Sequence, residues 1–322
     1  MNGSRLFAFL LLSIALKGFA QPFPSKPIHL VVPYPPGGGG DLHGRLIGEK
    51  LSTLLGQPVV VENRSGASGT TGSDYVAKSA PDGYNILVNT NALAVSQVVS
   101  KSLPFNVLAD FQPLSLTMTS QNMLVAKPAL PASSIKELIA YAKANPGKLS
   151  YGASGLATPM LSVELFKTLA GVDILFVPYK GDAPGVTDLL GGQIDMYVTN
   201  ILPLQPHVRS GKVKALAVTS RKRAASLPEV PTMEEAGHEV GLSGFDVESW
   251  FAFFAPAKTP RPVVERLNAA FAQVVAMPEV QKKIADSGGT AQSSTPEELM
   301  KRLQDDVAKF SQIVKSAKIK ID

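Results

Sequence analysis

Short apolar runs alternate along this chain with segments whose apolar residues recur at every third or fourth position. Ile28 to Val32 reads as a buried strand. Beyond Leu42, the residues Leu46, Ile47, Leu51, Leu54 and Leu55 repeat at helical spacing, and Gly56 sits where a C-cap glycine belongs. Val59 to Val61 is a short strand, Gly69 to Ser79 a helix, and Pro81-Asp82-Gly83 turns the chain into a strand from Tyr84 to Thr90. Ser134 and Glu137 form a capping box for a helix that Asn145-Pro146-Gly147 stops. A strand from Lys148 to Tyr151 precedes a helix with Met160, Leu161, Leu165, Phe166 and Leu169 on its apolar positions, Thr158 suiting its N-cap and Pro159 its first turn. Strands at Asp173–Val177, Ile194–Val198 and Val213–Thr219 are interleaved with helices at Val186–Leu190 and Leu204–Arg209. Three helices close the chain: Val263–Val275, Val280–Ser287 and Glu297–Ala317.

This alternation predicts an α/β fold with largely parallel sheets flanked by helices. Roughly 300 residues organised this way exceed one ordinary domain. Met123–Ala126 and the aromatic run Trp250–Phe254 are suited to carry the chain between two domains. The predicted division is 21–120 with 247–322 as the first domain and 121–246 as the second, the C-terminal helices packing on the first. Residues 1–20 read as a signal peptide: Arg5 is the positive end, Leu6 to Leu16 the apolar stretch, and Gly18-Phe19-Ala20 the cleavage site. The apolar stretch is too short to span a bilayer, so an exported, soluble, periplasmic protein is expected.

The chain has no cysteine, which removes disulfides, thiol catalysis and a lipid-bearing cysteine anchor. The formal charge of +5 falls to about +3 without Arg5 and Lys17, too little for a nucleic-acid binder. Arg221-Lys222-Arg223 reads as a solvated turn. The histidines at 29, 43, 207 and 238 show no metal-ligand spacing, and His43 reads as a partly exposed helix residue. Neither a metal nor a cofactor is expected. The glycines after the first strand miss the dinucleotide pattern, because the third required glycine falls on Leu42. No phosphate-binding Gly-Lys-Ser/Thr occurs. Gly152-Ala153-Ser154-Gly155-Leu156 lacks the last glycine of a nucleophile elbow, so a serine hydrolase built on Ser154 is the weaker alternative to a protein without catalysis.

Two loops carry the functional signal. Pro33-Tyr34-Pro35-Pro36-Gly37-Gly38-Gly39-Gly40-Asp41 joins the first strand to a helix N-terminus, where bare amides and the helix dipole favour an anion. The competing reading is a tight turn that needs glycine and binds nothing. Gly152 to Pro159 repeats the strand, glycine loop and helix plan in the other half of the chain. Two such ends facing each other would clamp a small anion from both sides.

The first loop resembles the opening signature of Bug-type extracytoplasmic solute receptors, the substrate-binding components of tripartite tricarboxylate transporters. The likeness runs on through Val61–Ala67, Pro81–Tyr84, Tyr151–Gly155, Val177–Gly181, Asp188–Gln193, Leu216–Ser220, Leu227–Thr232 and Phe254–Ala257. It implies a two-domain Venus-flytrap receptor that captures a mono- or dicarboxylate and delivers it to membrane permease subunits, with no nucleic acid involved and the receptor acting as a monomer. A periplasmic sensor for a signalling partner is a second reading. Carried over, the first-domain contacts are Tyr34 and the amides of Gly38, Gly39 and Gly40, with Asp41 capping the helix and orienting the loop. The second-domain contacts are Ser154, Gly155, Ala157 and Thr158. Thr90, Asn91, Thr199 and Asn200 would flank the cleft, and Asn63 to Ser68 opens another helix beside the first strand. Two stretches depart from the family pattern: Asn91–Gln97 replaces a loop leading to Asn-Pro, and Tyr197-Val198-Thr199-Asn200 stands where Met-Phe-Asp is more frequent. The second change removes an acidic group and eases the approach of a further carboxylate.

Overall fold

A computed structural model of the protein describes residues 23–154, 157–317 and 319. The predicted signal peptide at 1–20 and Gly155 of the second loop lie outside the described residues. The chain begins with β1 (Ile28–Val32), α1 (Gly39–Leu55), β2 (Val59–Asn63), α2 (Thr70–Ala77), β3 (Asn85–Thr90), α3 (Ala92–Val99) and β4 (Phe111–Ser120). It continues with β5 (Asn122–Ala126), α4 (Ile135–Ala144), β6 (Leu149–Ser154), α5 (Thr158–Ala170), β7 (Ile174–Tyr179), α6 (Asp182–Leu190), β8 (Met196–Asn200), α7 (Ile201–Arg209), β9 (Lys214–Val218) and α8 (Met233–Gly237). β10 (Ser249–Pro256), α9 (Arg261–Val275), α10 (Pro278–Asp286), β11 (Gly289–Ala291) and α11 (Pro296–Ser316) complete it.

Two helix-flanked sheets result, giving a two-domain α/β protein. The first has strand order β11-β4-β10-β3-β1-β2 and the second β7-β6-β8-β5-β9. In each, three strands run parallel, as the alternation predicts: β2, β1 and β3 in one, β7, β6 and β8 in the other. Antiparallel ladders of β10 with β3 and β4, and of β5 with β8 and β9, extend them into mixed sheets. β10, expected as a crossing segment, lies entirely in the first sheet.

The sequence pattern missed β4. Its Ser115, Thr117 and Thr119 alternate with apolar residues and look solvent-facing, yet all three are buried. Ser115 donates to the Leu116 and Ser294 carbonyls and Thr117 to the Phe251 carbonyl, so burial leaves their hydroxyls paired. α3, a run of small and apolar residues, was missed too.

The crossover decides where the loops go. β4 ends at Ser120 and β5 begins at Asn122, so Gln121 alone joins the sheets there. Ser120 pairs with Ser249 of β10, and Thr90 at the end of β3 pairs with Phe251 two residues along. On the other side, Asn122 pairs with Asn200 at the end of β8. The carboxyl ends of the parallel strands in both sheets therefore point at the same crossover. In open α/β sheets those ends are where ligands bind.

α11 departs from expectation. It packs on β4 and α3 of the first domain, but also on α5 of the second. Its apolar stripe, Leu299, Leu303, Phe310, Ile313 and Val314, is buried in a cluster that spans both domains. Trp250 Nε1 donates to Asp306 Oδ2 at 2.7 Å and fixes the helix to β10.

Candidate functional site

Gly38 is the N-cap of α1 and offers no side-chain cap. The first backbone bond of the helix runs from Leu42 N to Gly38 O, so the N–H groups of Gly38, Gly39, Gly40 and Asp41 have no acceptor among the described residues. Gly38 and Gly39 are exposed. Four unpaired donors on a 17-residue helix form an anion-ready end.

Asp41 holds this end in shape. It is buried, accepting from Gly37 N at 2.9 Å, Arg45 Nε at 3.0 Å and Asn63 Nδ2 at 2.8 Å. The Arg45 hydrogen bond leads in holding its carboxyl down at about 2, with burial opposing. With Arg45 Nη2 also 3.0 Å from its Oδ1, Asp41 orients the loop; it does not cap the helix, being the third residue of α1, three positions beyond the cap at Gly38.

Tyr34 lies folded over the loop. Its hydroxyl donates to Asn89 Oδ1 at 2.7 Å, and Asn89 in turn donates to Ser73 Oγ. Burial pushes the Tyr34 hydroxyl above its ordinary value. A Cβ on Gly40 would stand 2.7 Å from the Tyr34 ring, so only glycine fits beneath it. Asn63 Nδ2 also donates to the Tyr34 carbonyl at 3.0 Å, tying the end of β2 to this loop.

The neighbouring segment is one that sequence reasoning left open. Ala67 and Ser68 both adopt positive φ, 44° and 55°, between Gly66 and Gly69. Consecutive non-glycine residues in this region store strain of order 1–3 kcal/mol each, and such strain gathers at ligand sites. Gly66-Ala67-Ser68-Gly69 was the available signal, since only a glycine-framed turn tolerates it.

Thr90 and Asn91 carry structural bonds. Thr90 Oγ1 accepts from Ala92 N at 3.1 Å, and Asn91 Nδ2 donates to the Glu248 carbonyl at 3.0 Å, clasping β3 to the returning chain. In the second domain Ser154 ends β6, Ala157 is the N-cap of α5, and Thr158 is its buried first residue. The helix starts one residue earlier than the sequence pattern assigns, with Thr158 as its first residue and Ala157, not Thr158, as its cap. Asn200 Oδ1 accepts from Ser120 Oγ at 2.7 Å, a direct bond between the sheets.

A cavity of about 480 Å³ joins parts of this set. Gly39, His43, Met118, Ser120, Phe251 and Asn200 line it, with Leu42, Leu46 and Ile284 among its apolar walls. It brings Gly39 and Asn200 together; Ser154, Ala157 and Thr158 do not line it. His43 is buried here, not partly exposed, because the Phe251 and Phe253 rings cover it at 4.9 and 6.2 Å. Burial alone drives its imidazole down to about 3, so it is neutral at physiological pH. Among the described residues, no group of three or more His, Asp or Glu side chains could hold a metal ion, and no helix is long and apolar enough to cross a membrane.

Residues 44–319 match the family model described as the tripartite tricarboxylate transporter family receptor. The chain belongs to this family. The receptor is 36% identical to protein BugT of Bordetella pertussis over the full length of both chains. It is also similar to R. palustris Rpa4515 solved with adipate, at 35% identity and a TM-score of 0.76, covering 92% of this chain and 98% of the other. MatC from Rhodopseudomonas palustris with bound malate superposes with a TM-score of 0.73 at 31% identity, covering 91% and 100%. The Bug-type resemblance read from the loop motifs is thus borne out, and so is the two-domain fold.

Proposed function

We propose that this receptor captures a small mono- or dicarboxylate in the crevice between its two sheets and hands it to the membrane subunits of a tripartite tricarboxylate-type transporter. The observation that carries the reading is the set of unpaired amides from Gly38 to Asp41 beside a crossover at which both sheets end their parallel strands. The relatives solved with adipate and malate supply the carboxylate class. The first-domain donors are the Gly38, Gly39 and Gly40 amides, oriented by Tyr34 and Asp41. Ser154, Gly155, Ala157 and Thr158 complete the clamp from α5, and Thr90, Asn91 and Asn200 close its sides. Domain limits at 121 and 247, cleavage after Ala20, a periplasmic location and a monomeric state belong to the same proposal, as does the lack of catalysis.

Such a ligand works by differential affinity: it favours the closed arrangement only as far as it binds that arrangement better. Helix-end and charge-assisted bonds contribute about 0.3 to 3 kcal/mol each, so micromolar affinity needs several of them together. The test is a thermal-shift panel of mono-, di- and tricarboxylates on the purified protein. A ligand at about 100 times its Kd adds about 2.7 kcal/mol to native stability and raises Tm. If no carboxylate raises Tm while ester substrates turn over in a Ser154-dependent manner, the receptor reading fails and the hydrolase reading replaces it.

A further inference from the structure

The cavity beside α1 contains a buried polar group that the carboxylate clamp does not use. His43 lies one helical turn beyond Gly39, about 6 Å along the axis, and both line the cavity. Its Nε2 is 2.8 Å from Thr117 Oγ1. Thr117 occupies a bulge in β4, skipped in the register between the Phe251–Met118 and Ala252–Leu116 pairs. Bulges re-aim side chains, and this one turns the threonine onto the histidine. Both contacts of the Thr117 hydroxyl are hydrogen bonds at once only if it donates to the Phe251 carbonyl, 3.3 Å away, and receives the Nε2 proton with its lone pair. The second ring nitrogen, Nδ1, is then an unprotonated acceptor.

That acceptor has no partner among the described residues. It is not sealed in the core either, since the sealed unpaired side-chain atoms among these residues are Asp74 Oδ1 and Asn122 Nδ2. A neutral imidazole offering a lone pair repels a carboxylate oxygen and welcomes a hydroxyl or N–H. The cavity walls include Leu42, Met118 and Phe251, which suit an apolar spacer, with the charged Arg45, Glu49 and Lys283 also on the lining.

We propose that the cavity is a specificity subsite whose His43 Nδ1 accepts a hydrogen bond from a hydroxyl group on the ligand, separated from the clamped carboxylate by an apolar chain or ring. The proposal rests on the carboxylate reading above and narrows it to hydroxylated acids. A site built to accept from a donor discriminates strongly against the analogue that lacks it, because the buried acceptor is left unpaired.

The experiment is calorimetry with two matched pairs, 4-hydroxybenzoate against benzoate and 6-hydroxyhexanoate against hexanoate. The protein should prefer the hydroxylated member of at least one pair by tenfold or more, and His43→Leu should erase that preference while retaining the weaker affinity of the parent acid. In case the variant folds poorly, ¹⁵N spectra of the unmodified protein give a second readout. The His43 Nδ1 resonance should report an unprotonated nitrogen that shifts with the hydroxylated acid and not with its parent. Equal affinities within both pairs, a preference that survives His43→Leu, or a protonated Nδ1 would each overturn the assignment. If none of the four acids binds but another carboxylate in the panel does, the subsite alone is refuted. If no carboxylate binds, the parent reading falls as well.

Discussion

Replacing Gly39 by proline separates the anion-binding role of the α1 amides from their structural one. Gly39 is the first residue of α1, the position where proline is best tolerated because its missing N–H has no intrahelical acceptor. The residue before it, Gly38, has φ −78° and ψ 168°, the extended geometry that a following proline demands. A Cβ at 39 would meet nothing closer than Phe251 Cζ at 3.9 Å, an ordinary contact. Gly39→Pro should therefore leave Tm unchanged or slightly raised, since stiffening the unfolded chain contributes about 0.4–1 kcal/mol. It removes one donor to the ligand. Hydrogen bonds to charged groups contribute about 1.5–3 kcal/mol, which at 1.4 kcal/mol per decade is a loss of about ten- to a hundredfold in carboxylate affinity. Calorimetric titration measures the affinity and differential scanning calorimetry the stability. An unchanged Kd in a variant of native Tm refutes the claim that main-chain donors of this loop hold the anion.

Other substitutions probe the supports around that loop. Gly40→Ala puts a Cβ 2.7 Å from the Tyr34 ring and should cost about 1–3 kcal/mol in urea unfolding unless Tyr34 is cut back as well, so Tyr34→Ala in the same chain should recover part of the loss. Asp306→Leu strands the Trp250 indole N–H; a destabilisation of about 1–3 kcal/mol should accompany a shift in emission from this single tryptophan, measured by fluorescence-detected unfolding. The Asp41 carboxyl is held at about 2 against an ordinary 3.8, chiefly by the Arg45 hydrogen bond, so its contribution is complete above pH 3.8 and lost as pH falls through 2. Asp41→Asn should flatten that acid limb of the stability profile, and an acid limb identical to that of the unmodified protein would exclude the Arg45 and Asn63 pairing as its source.

Much of this protein is determined locally. Apolar periodicity locates β1, α1, β3, β6, α5 and the three C-terminal helices to within a few residues, because each element must bury one face or stripe whatever its partners are. The glycine run at 37–40 likewise announces a helix end with bare amides, since a backbone requirement is written in the residues that meet it. β4 and His43 illustrate the opposite case. Polar residues at alternate positions of Phe111–Ser120 are buried only because β10 and Ser294 arrive from 130 or more positions away in the chain to accept their hydroxyl protons. His43 looks like a surface residue until the aromatic pair Phe251 and Phe253 closes over it, and only that closure buries it, neutral, beside a cavity. Which polar groups lose water, and which strand ends meet at Gln121, are properties of long-range pairing; neither is encoded in any single window of sequence.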